Sequence, residues 1–341
     1  MFNDSKKAMT AISQYCGNRV DYVQGGGGNT SYKFDDKLMA IKASGYTLVD
    51  VAPEQGYVTV DYSKILRKYE QLSKKVDVDV DKETLIINLE CVELLDGMKE
   101  LRPSVEVGFH SYLQRAVVHT HSVYANLLCC TDEGRDNAKT IFGNSEFGYV
   151  YLPFISPGFT LSIRVKDEVE AYKKENGKMP DLIFMESHGM IASHDDYETA
   201  IEIHEKANQM MIDYFGAIGF PEAKIEKTEK GFLSKTDMIK SFILEFVANG
   251  NYFDTVNLYP DQIVYLQDKL GKTILVDKEK GTIEYIMGEK QAQTLEEVLL
   301  GVIYIIIEIK RKELSLMLLC KEGEDFIRNW ESEKYRASLV E

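Results

Sequence analysis

Apolar positions change their period several times along the chain, and each change predicts an element. The first forty-odd residues read as a helix, a glycine-rich turn and a strand pair, in which Ser31 to Phe34 and Leu38 to Ala43 are apolar-rich runs split by Asp35-Asp36, a hairpin signal. Segment 61 to 75 reads as a lysine-rich helix. Residues 76 to 82 (Val-Asp-Val-Asp-Val-Asp-Lys) alternate apolar and polar, which predicts an exposed edge strand or a loop. Pro103 opens a helix over Ser104 to Gln114, followed by a strand from Arg115 to Thr120 and a helix from about Ser122. A loop region with Gly143, Gly148, Pro153 and Pro157 leads to a buried strand, Leu182 to Met185. Asp195 and Asp196 are placed to cap a helix over Tyr197 to Phe215.

Residues 217 to 232 shift toward Gly, Pro, Lys and Glu, and read as a linker between domains. Beyond them the pattern predicts an amphipathic helix at about 235 to 248, strands at 273 to 277 and 282 to 286, and one or two long helices over 291 to 332. Trp330, the only tryptophan, is placed to anchor the last helix. The stretch Leu258-Tyr259-Pro260-Asp261-Gln262 precedes an apolar run, and the whole C-terminal part reads as a small α/β unit that packs on the core or builds an oligomer interface, with a specificity lid as the alternative.

Length and charge narrow the classes. A chain of 341 residues suggests two domains, or one core with a large appendage. Its net charge of −15 disfavours nucleic acid as a partner, so any anion site must be local. The longest uncharged apolar run, Val298 to Ile307, is about half of what a helix needs to cross a bilayer. With a polar N-terminus lacking a signal pattern, the expected location is cytoplasmic and off the membrane. The 5 cysteines form no disulfide framework or zinc spacing and are expected to be reduced and mostly buried.

The strongest chemical signal is Val117-Val118-His119-Thr120-His121. On a strand, residues i and i+2 share a face, so two imidazoles converge after an apolar anchor. A third, His188, follows the strand ending at Met185, before Gly189. Three neutral imidazoles with an open position describe a catalytic zinc site. Glu106, a turn into its predicted helix, stands where a carboxylate can approach that metal and move a proton, and His110 at i+4 shares its face. His110, His194 and His204 read as structural by default, His204 as a surface or interface residue. The run Gly25 to Gly28 with Asn29-Thr30-Ser31 offers backbone N–H groups and hydroxyls to an anion, as does Lys42-Ala43-Ser44-Gly45, and Ser104 is positioned to join them.

Taken in order, Gly28-Asn29 with Ser31, Ser44-Gly45, Ser104-x-Glu106, His119-x-His121 and Ser187-His188-Gly189 resemble the class II aldolase/adducin family over residues 5 to 215. The resemblance implies a three-layer α/β/α core around a mainly antiparallel sheet, here residues 1–225, with residues 230–341 as a smaller C-terminal α+β extension of no assigned role. It implies Zn2+ on His119, His121 and His188, one per chain, with Glu106 as acid/base and as a fourth ligand when no substrate is present. It implies a sugar phosphate held by Gly28, Asn29, Ser44, Gly45 and Ser104, and a homo-oligomer, often a tetramer, with the site between subunits. One departure stands out: many sugar-phosphate members carry a second serine before the glutamate, where this chain has Val105. The Pro-Ser-Val-Glu form resembles the long members related to bacterial rhamnulose-phosphate aldolases. The reaction implied is retro-aldol cleavage of a ketose phosphate through a metal-stabilised enediolate. A 4-epimerase, dehydratase or decarboxylase on the same site, and a non-catalytic adducin-like interaction module, are the alternatives.

Overall fold

Period-two alternation builds the centre of the molecule, a seven-stranded sheet in which each strand sends one set of side chains to each face. The structure, a computed structural model, describes residues 2–95, 97–248, 252–267, 269–277 and 279–329. The strands are β1 (Asn29–Lys33), β2 (Leu38–Lys42), β3 (Tyr57–Asp61), β4 (Ala116–Thr120), β5 (Tyr149–Leu152), β6 (Leu182–Met185) and β7 (Gly189–His194). Their order is β3-β2-β1-β4-β7-β6-β5, antiparallel throughout except for the parallel pair β5 and β6. The expected hairpin is β1 with β2, in a register that sets Ser31 opposite Ile41.

The alternation separates two helical layers. Val117, Ile183, Met185 and Ile191 pack with Phe109 of the helix Val107–Tyr112 and with Leu161, Val165 and Val169 of the helix Phe159–Asn176. Their strand neighbours Ala116, Val118, Phe184 and Ala192 face the other way, toward Met9 and Ile12 of the helix Phe2–Gly17 and Ala200, Ala207 and Met211 of the helix Tyr197–Phe215. This is the expected three-layer arrangement. Asp196 caps the latter helix as its spacing predicts, accepting from the Thr199 amide at 2.8 Å.

Four local expectations are corrected. Of the two readings of residues 76 to 82 the loop holds for 76 to 79, which join no strand among the described residues, with Val76 81% exposed; the correction is that Asp79 accepts from the Lys82 amide at 3.1 Å to start a helix, Val80–Glu90. The alternation there was a solvated turn followed by a cap, and the period carried no burial. The helix predicted from Ser104 begins only at Val107, because Pro103 bridges to Ala43 and draws Ser104 into an extended approach to β2. The loop region after residue 130 contains the helix Gly134–Phe142, the strand β5 and the helix Phe159–Asn176. The stretch read as a linker contains β8 (Ile225–Lys227) and ends on the first residue of β9 (Phe232–Ser234); both belong to a second sheet with β10 (Ile274–Asp277) and β11 (Thr282–Tyr285), in the order β10-β11-β9-β8.

From Val298 to Ile307 the helix Glu289–Arg311 is apolar on nearly every side and correspondingly buried, with Leu299, Val302, Ile303, Tyr304 and Ile306 fully enclosed. It lies against the helix Val123–Cys129, which follows the histidine strand directly. Among the described residues no helix is long and apolar enough to cross a membrane. All five cysteines are unpaired thiols, four buried and Cys320 exposed. Trp330 and the end of the predicted last helix lie outside the described residues.

Candidate metal centre

Strand register, rather than local sequence, assembles the site. The antiparallel pairing of β1 with β4 sets Asn29 directly opposite His119, so the end of the glycine run meets the histidine strand. β7 runs along the other side of β4 and pairs Met190 with Thr120, which brings the β6–β7 turn, with His188, to the same end of the sheet. Ser187 in that turn takes a left-handed φ of 48°, a conformation that costs a non-glycine residue about 1–3 kcal/mol and aims the next side chain sharply. From β2, the Ser44 amide bonds to the Arg102 carbonyl at 2.8 Å and the Ser104 amide to the Lys42 carbonyl at 3.2 Å. These two bonds carry Ser104 and Glu106 to the same place. Glu106 therefore sits at the N-cap of its helix, not a turn inside it, and its side chain makes no capping bond.

The three imidazoles form an equilateral set, with ring centres 5.0 Å apart in every pair. All are buried, and their candidate ligand nitrogens lie within 4.8 Å of one another. The tautomers follow from the partners. His119 Nδ1 faces only the Met190 carbonyl, at 2.9 Å, and so donates its proton there. His121 Nδ1 likewise donates to the carboxylate of Asp261. Both Nε2 atoms are then bare lone pairs, yet they face each other at 3.3 Å. Glu106 adds two more acceptors, Oε1 at 3.3 Å from His188 Nε2 and Oε2 at 3.5 Å from His119 Nε2.

Lone pairs this close with no proton between them repel unless a cation lies at their centre. In a tetrahedral zinc site with bonds of 2.0–2.1 Å, neighbouring ligand atoms stand about 3.3–3.4 Å apart; the His119 and His121 Nε2 atoms stand 3.3 Å apart, and a His188 nitrogen lies within 4.8 Å of both. Glu106 Oε1 is buried and has no hydrogen-bond partner of its own. The residues therefore fit a divalent metal, with His119, His121 and His188 as ligands and Glu106 beside them.

Behind the cluster a relay of polar side chains holds the carboxylate. Asn29 donates to Glu106 Oε2 at 2.6 Å and to Ser104 Oγ at 3.1 Å. His110 in turn bonds Asn29 Oδ1 through Nε2, and meets Ser31 Oγ at 2.7 Å through Nδ1. His110 thus orients Glu106 through Asn29 rather than by direct contact. Burial works against the Glu106 charge, whereas positive charge at the His119–His188 cluster, together with the donated Asn29 amide, holds the carboxyl well below the ordinary glutamate range. Burial drives His119 well below its usual value, so it stays neutral, as a metal ligand must.

Gly28, Asn29, Ser44, Gly45, Ser104, Glu106, His121 and His188 all line one pocket, and His119 lies beneath it. Gly28 has a φ of 63°, and a Cβ there would stand 2.6 Å from the His119 carbonyl, so only glycine lets the turn pass the strand. Val105 lines the pocket without a hydroxyl. Lys42 also lines it, only 4% exposed, with Nζ 3.4 Å from the Gly26 carbonyl. The sequence flagged Lys42 only as a nearby cation. It missed Pro157 and Pro260 of the lining, and it gave no role to Asp261.

His204 is not at the surface, as expected from its helix, but fully buried. It meets the Thr120 hydroxyl at 2.7 Å and Tyr15 at 3.2 Å, packing behind the histidine strand. Burial pushes both His204 and His110 down to about 3. Their folded-state values lie below the ordinary 6.5, so the unfolded chain binds more protons between pH 6.5 and 3. Stability is fully present above pH 6.5 and is lost as pH falls through that window, by about 1.4 kcal/mol per pH unit for each imidazole. Urea midpoints of metal-free protein should drop accordingly from pH 7 to pH 5, and His204→Gln should flatten the slope by one proton's worth. An unchanged slope in that variant refutes the assignment.

A family model described as the class II aldolase and adducin N-terminal domain matches residues 7–211. YuxG of Bacillus subtilis, described as an uncharacterised oxidoreductase, is 31% identical over 202 residues, covering 55% of this chain but 27% of that one. The chain thus spans about a quarter of the length of that curated relative. Among solved structures, the N-terminal class II aldolase domain of a conserved protein from Thermoplasma acidophilum superposes with a TM-score of 0.50 at 26% identity, covering 60% of this chain and 91% of its own. YgbL from Escherichia coli gives a TM-score of 0.44 at 19% identity, covering 64% and 92%.

Proposed function

The chain belongs to the class II aldolase and adducin family, and from that premise we propose that it is a zinc-dependent aldehyde-lyase cleaving a ketose phosphate by retro-aldol chemistry. The observation that carries the reading is the meeting of two unprotonated Nε2 atoms at 3.3 Å beside the Glu106 carboxylate. A divalent cation held there supplies Lewis acidity toward carbonyl and hydroxyl oxygens of the substrate. Glu106, ionised at neutral pH and with Oε1 free of hydrogen bonds, takes or returns the proton at the reacting carbon. Asn29 steadies Oε2 at 2.6 Å, which leaves Oε1 for that task.

The anion end of the pocket is built from Gly28, Asn29, Ser44, Gly45 and Ser104, with Lys42 supplying the charge. This cation supports the phosphate reading despite the hydroxyl missing at Val105. A non-catalytic adducin-like module has no use for three buried imidazoles around an ionised carboxylate, an arrangement that costs stability without a metal. An enzyme is therefore favoured. From the C-terminal part of the chain, Pro260 joins the pocket lining and Asp261 meets His121.

The test is to incubate the metal-loaded protein with ketose 1-phosphates and follow aldehyde release through a coupled dehydrogenase. Aldehyde supports the lyase; a sugar-phosphate isomer without aldehyde assigns the epimerase chemistry and overturns it. Lys42→Met is expected to raise KM for the phosphorylated substrate about 10–100-fold, far more than it lowers kcat, because a hydrogen bond to a charged group is worth about 1.5–3 kcal/mol.

A further inference from the structure

The C-terminal part of the chain reaches into the metal site. Asp261, fully buried, accepts a hydrogen bond from the Nδ1–H of His121 on its Oδ2. Pro260 lines the pocket beside His121 and His188, and the Tyr259 ring stands 6.3 Å from that of His121. In the π-helical turn Ile263–Gln267 that follows, the Tyr265 hydroxyl accepts the amide of Gly26 at 3.0 Å. The segment therefore grips the glycine run and the histidine strand together.

We propose that Asp261 is the positioning residue for His121, so that the C-terminal region forms part of the metal site within the same chain. The inference rests on the metal-site reading above. An imidazole whose Nδ1–H is bound by a carboxylate is fixed in one tautomer and ring orientation, and its Nε2 becomes a better donor to a metal. His119 receives the same service from a neutral carbonyl, and His188 Nδ1 has no hydrogen-bond partner among the described residues. Asp261 is the one charged orienter in this set.

The glycine run supplies a second, independent observation. A Cβ on Gly27 would stand 2.4 Å from Asp261 Oδ2 and 3.1 Å from His121 Nδ1. A side chain at residue 27 and this carboxylate cannot occupy the same space. Gly27 is thus a space left for Asp261, whereas Gly28 serves the turn into β1. Since Asp261 docking and metal binding both act through His121, they are linked reciprocally: bound metal tightens the C-terminal segment, and the docked segment tightens the metal.

The experiment titrates full-length metal-free protein with Zn2+ against a chromophoric chelator, for wild type, Asp261→Asn and Asp261→Ala. The expected result is a Kd raised about 10–100-fold in Asp261→Ala and by less in Asp261→Asn, which keeps an acceptor but not the charge. The thermal midpoint of metal-free Asp261→Asn should not fall, because a buried carboxylate has been neutralised; a merely structural role predicts the reverse, lowered stability with unchanged Kd. Wild-type Kd in both variants overturns the inference while leaving the metal site standing. A wild type that takes up no Zn2+ overturns the metal reading and this inference together. Hydrogen exchange of wild type needs no substitution: Zn2+ should slow exchange across residues 258–267, and unchanged exchange there counts against the linkage.

Discussion

The His119→Ala protein is expected to lose its divalent metal, from about one ion per chain to background by elemental analysis, and with it all measurable turnover. Removing that imidazole opens one edge of the ligand set and leaves two nitrogens, too few to hold zinc against a chelator. Glu106→Gln should behave differently. Its three imidazoles remain, so metal content should persist, while turnover falls by about 10²–10⁴-fold because an amide cannot carry the proton. The contrast matters more than either loss. Equal metal depletion in both variants, or full turnover in metal-free protein, would sink the division of labour between cluster and carboxylate. His119 is the better choice for this test than His121, since His121→Ala also strands the Asp261 carboxylate in the interior, a loss of about 3–5 kcal/mol unrelated to metal.

Deleting residues 230–341 is expected to give protein that is insoluble or molten rather than a smaller working enzyme. The helix Glu289–Arg311 buries Leu295, Val298, Leu299, Val302, Ile303, Tyr304 and Ile306 completely, much of it against Val123, Leu127 and Leu128 on the helix after the histidine strand. Each large apolar side chain returned to water forfeits about 1.5–3 kcal/mol. A few such losses equal the whole net stability of about 5–15 kcal/mol for a folded domain. The deletion also removes Asp261 and Tyr265 from the metal site. Soluble yield, near-ultraviolet circular dichroism and dye binding report the outcome. A soluble, cooperatively folded product that still binds one metal ion would show the extension to be separable, contrary to this expectation.

Elements whose pattern coincided with burial were legible in advance. The β1–β2 hairpin, the strand Leu182–Met185 and the capped helix Tyr197–Phe215 all combine apolar periodicity with a turn or cap signal, so local chemistry and tertiary packing agree. At residues 76 to 82 the loop alternative held for 76 to 79, but the helix beginning at Val80 was missed. Alternation of Val and Asp there reflects no buried face, and Asp79 turned out to be a helix cap. The strand β5 and the helix Phe159–Asn176 were hidden among prolines and glycines that punctuate their ends rather than break them. His204 was misplaced because a polar residue in a helix reads as exposed until its partners, Thr120 and Tyr15, are known.

The same division holds at the site. By itself the sequence determined which residue types could converge: His-x-His on a strand, a third His after a buried strand, a carboxylate ahead of them, and turns rich in backbone donors. Those are properties of short spacing, governed by strand and turn geometry that any chain shares. Only the tertiary structure decided that His188 completes an equilateral set with 5.0 Å between ring centres, that Asn29 lies opposite His119, and that Asp261 reaches His121 from 140 positions away. Such pairings are set by sheet register and by the burial of the C-terminal helix, which are outcomes of packing summed over the whole chain and leave no trace in the spacing of the residues they join.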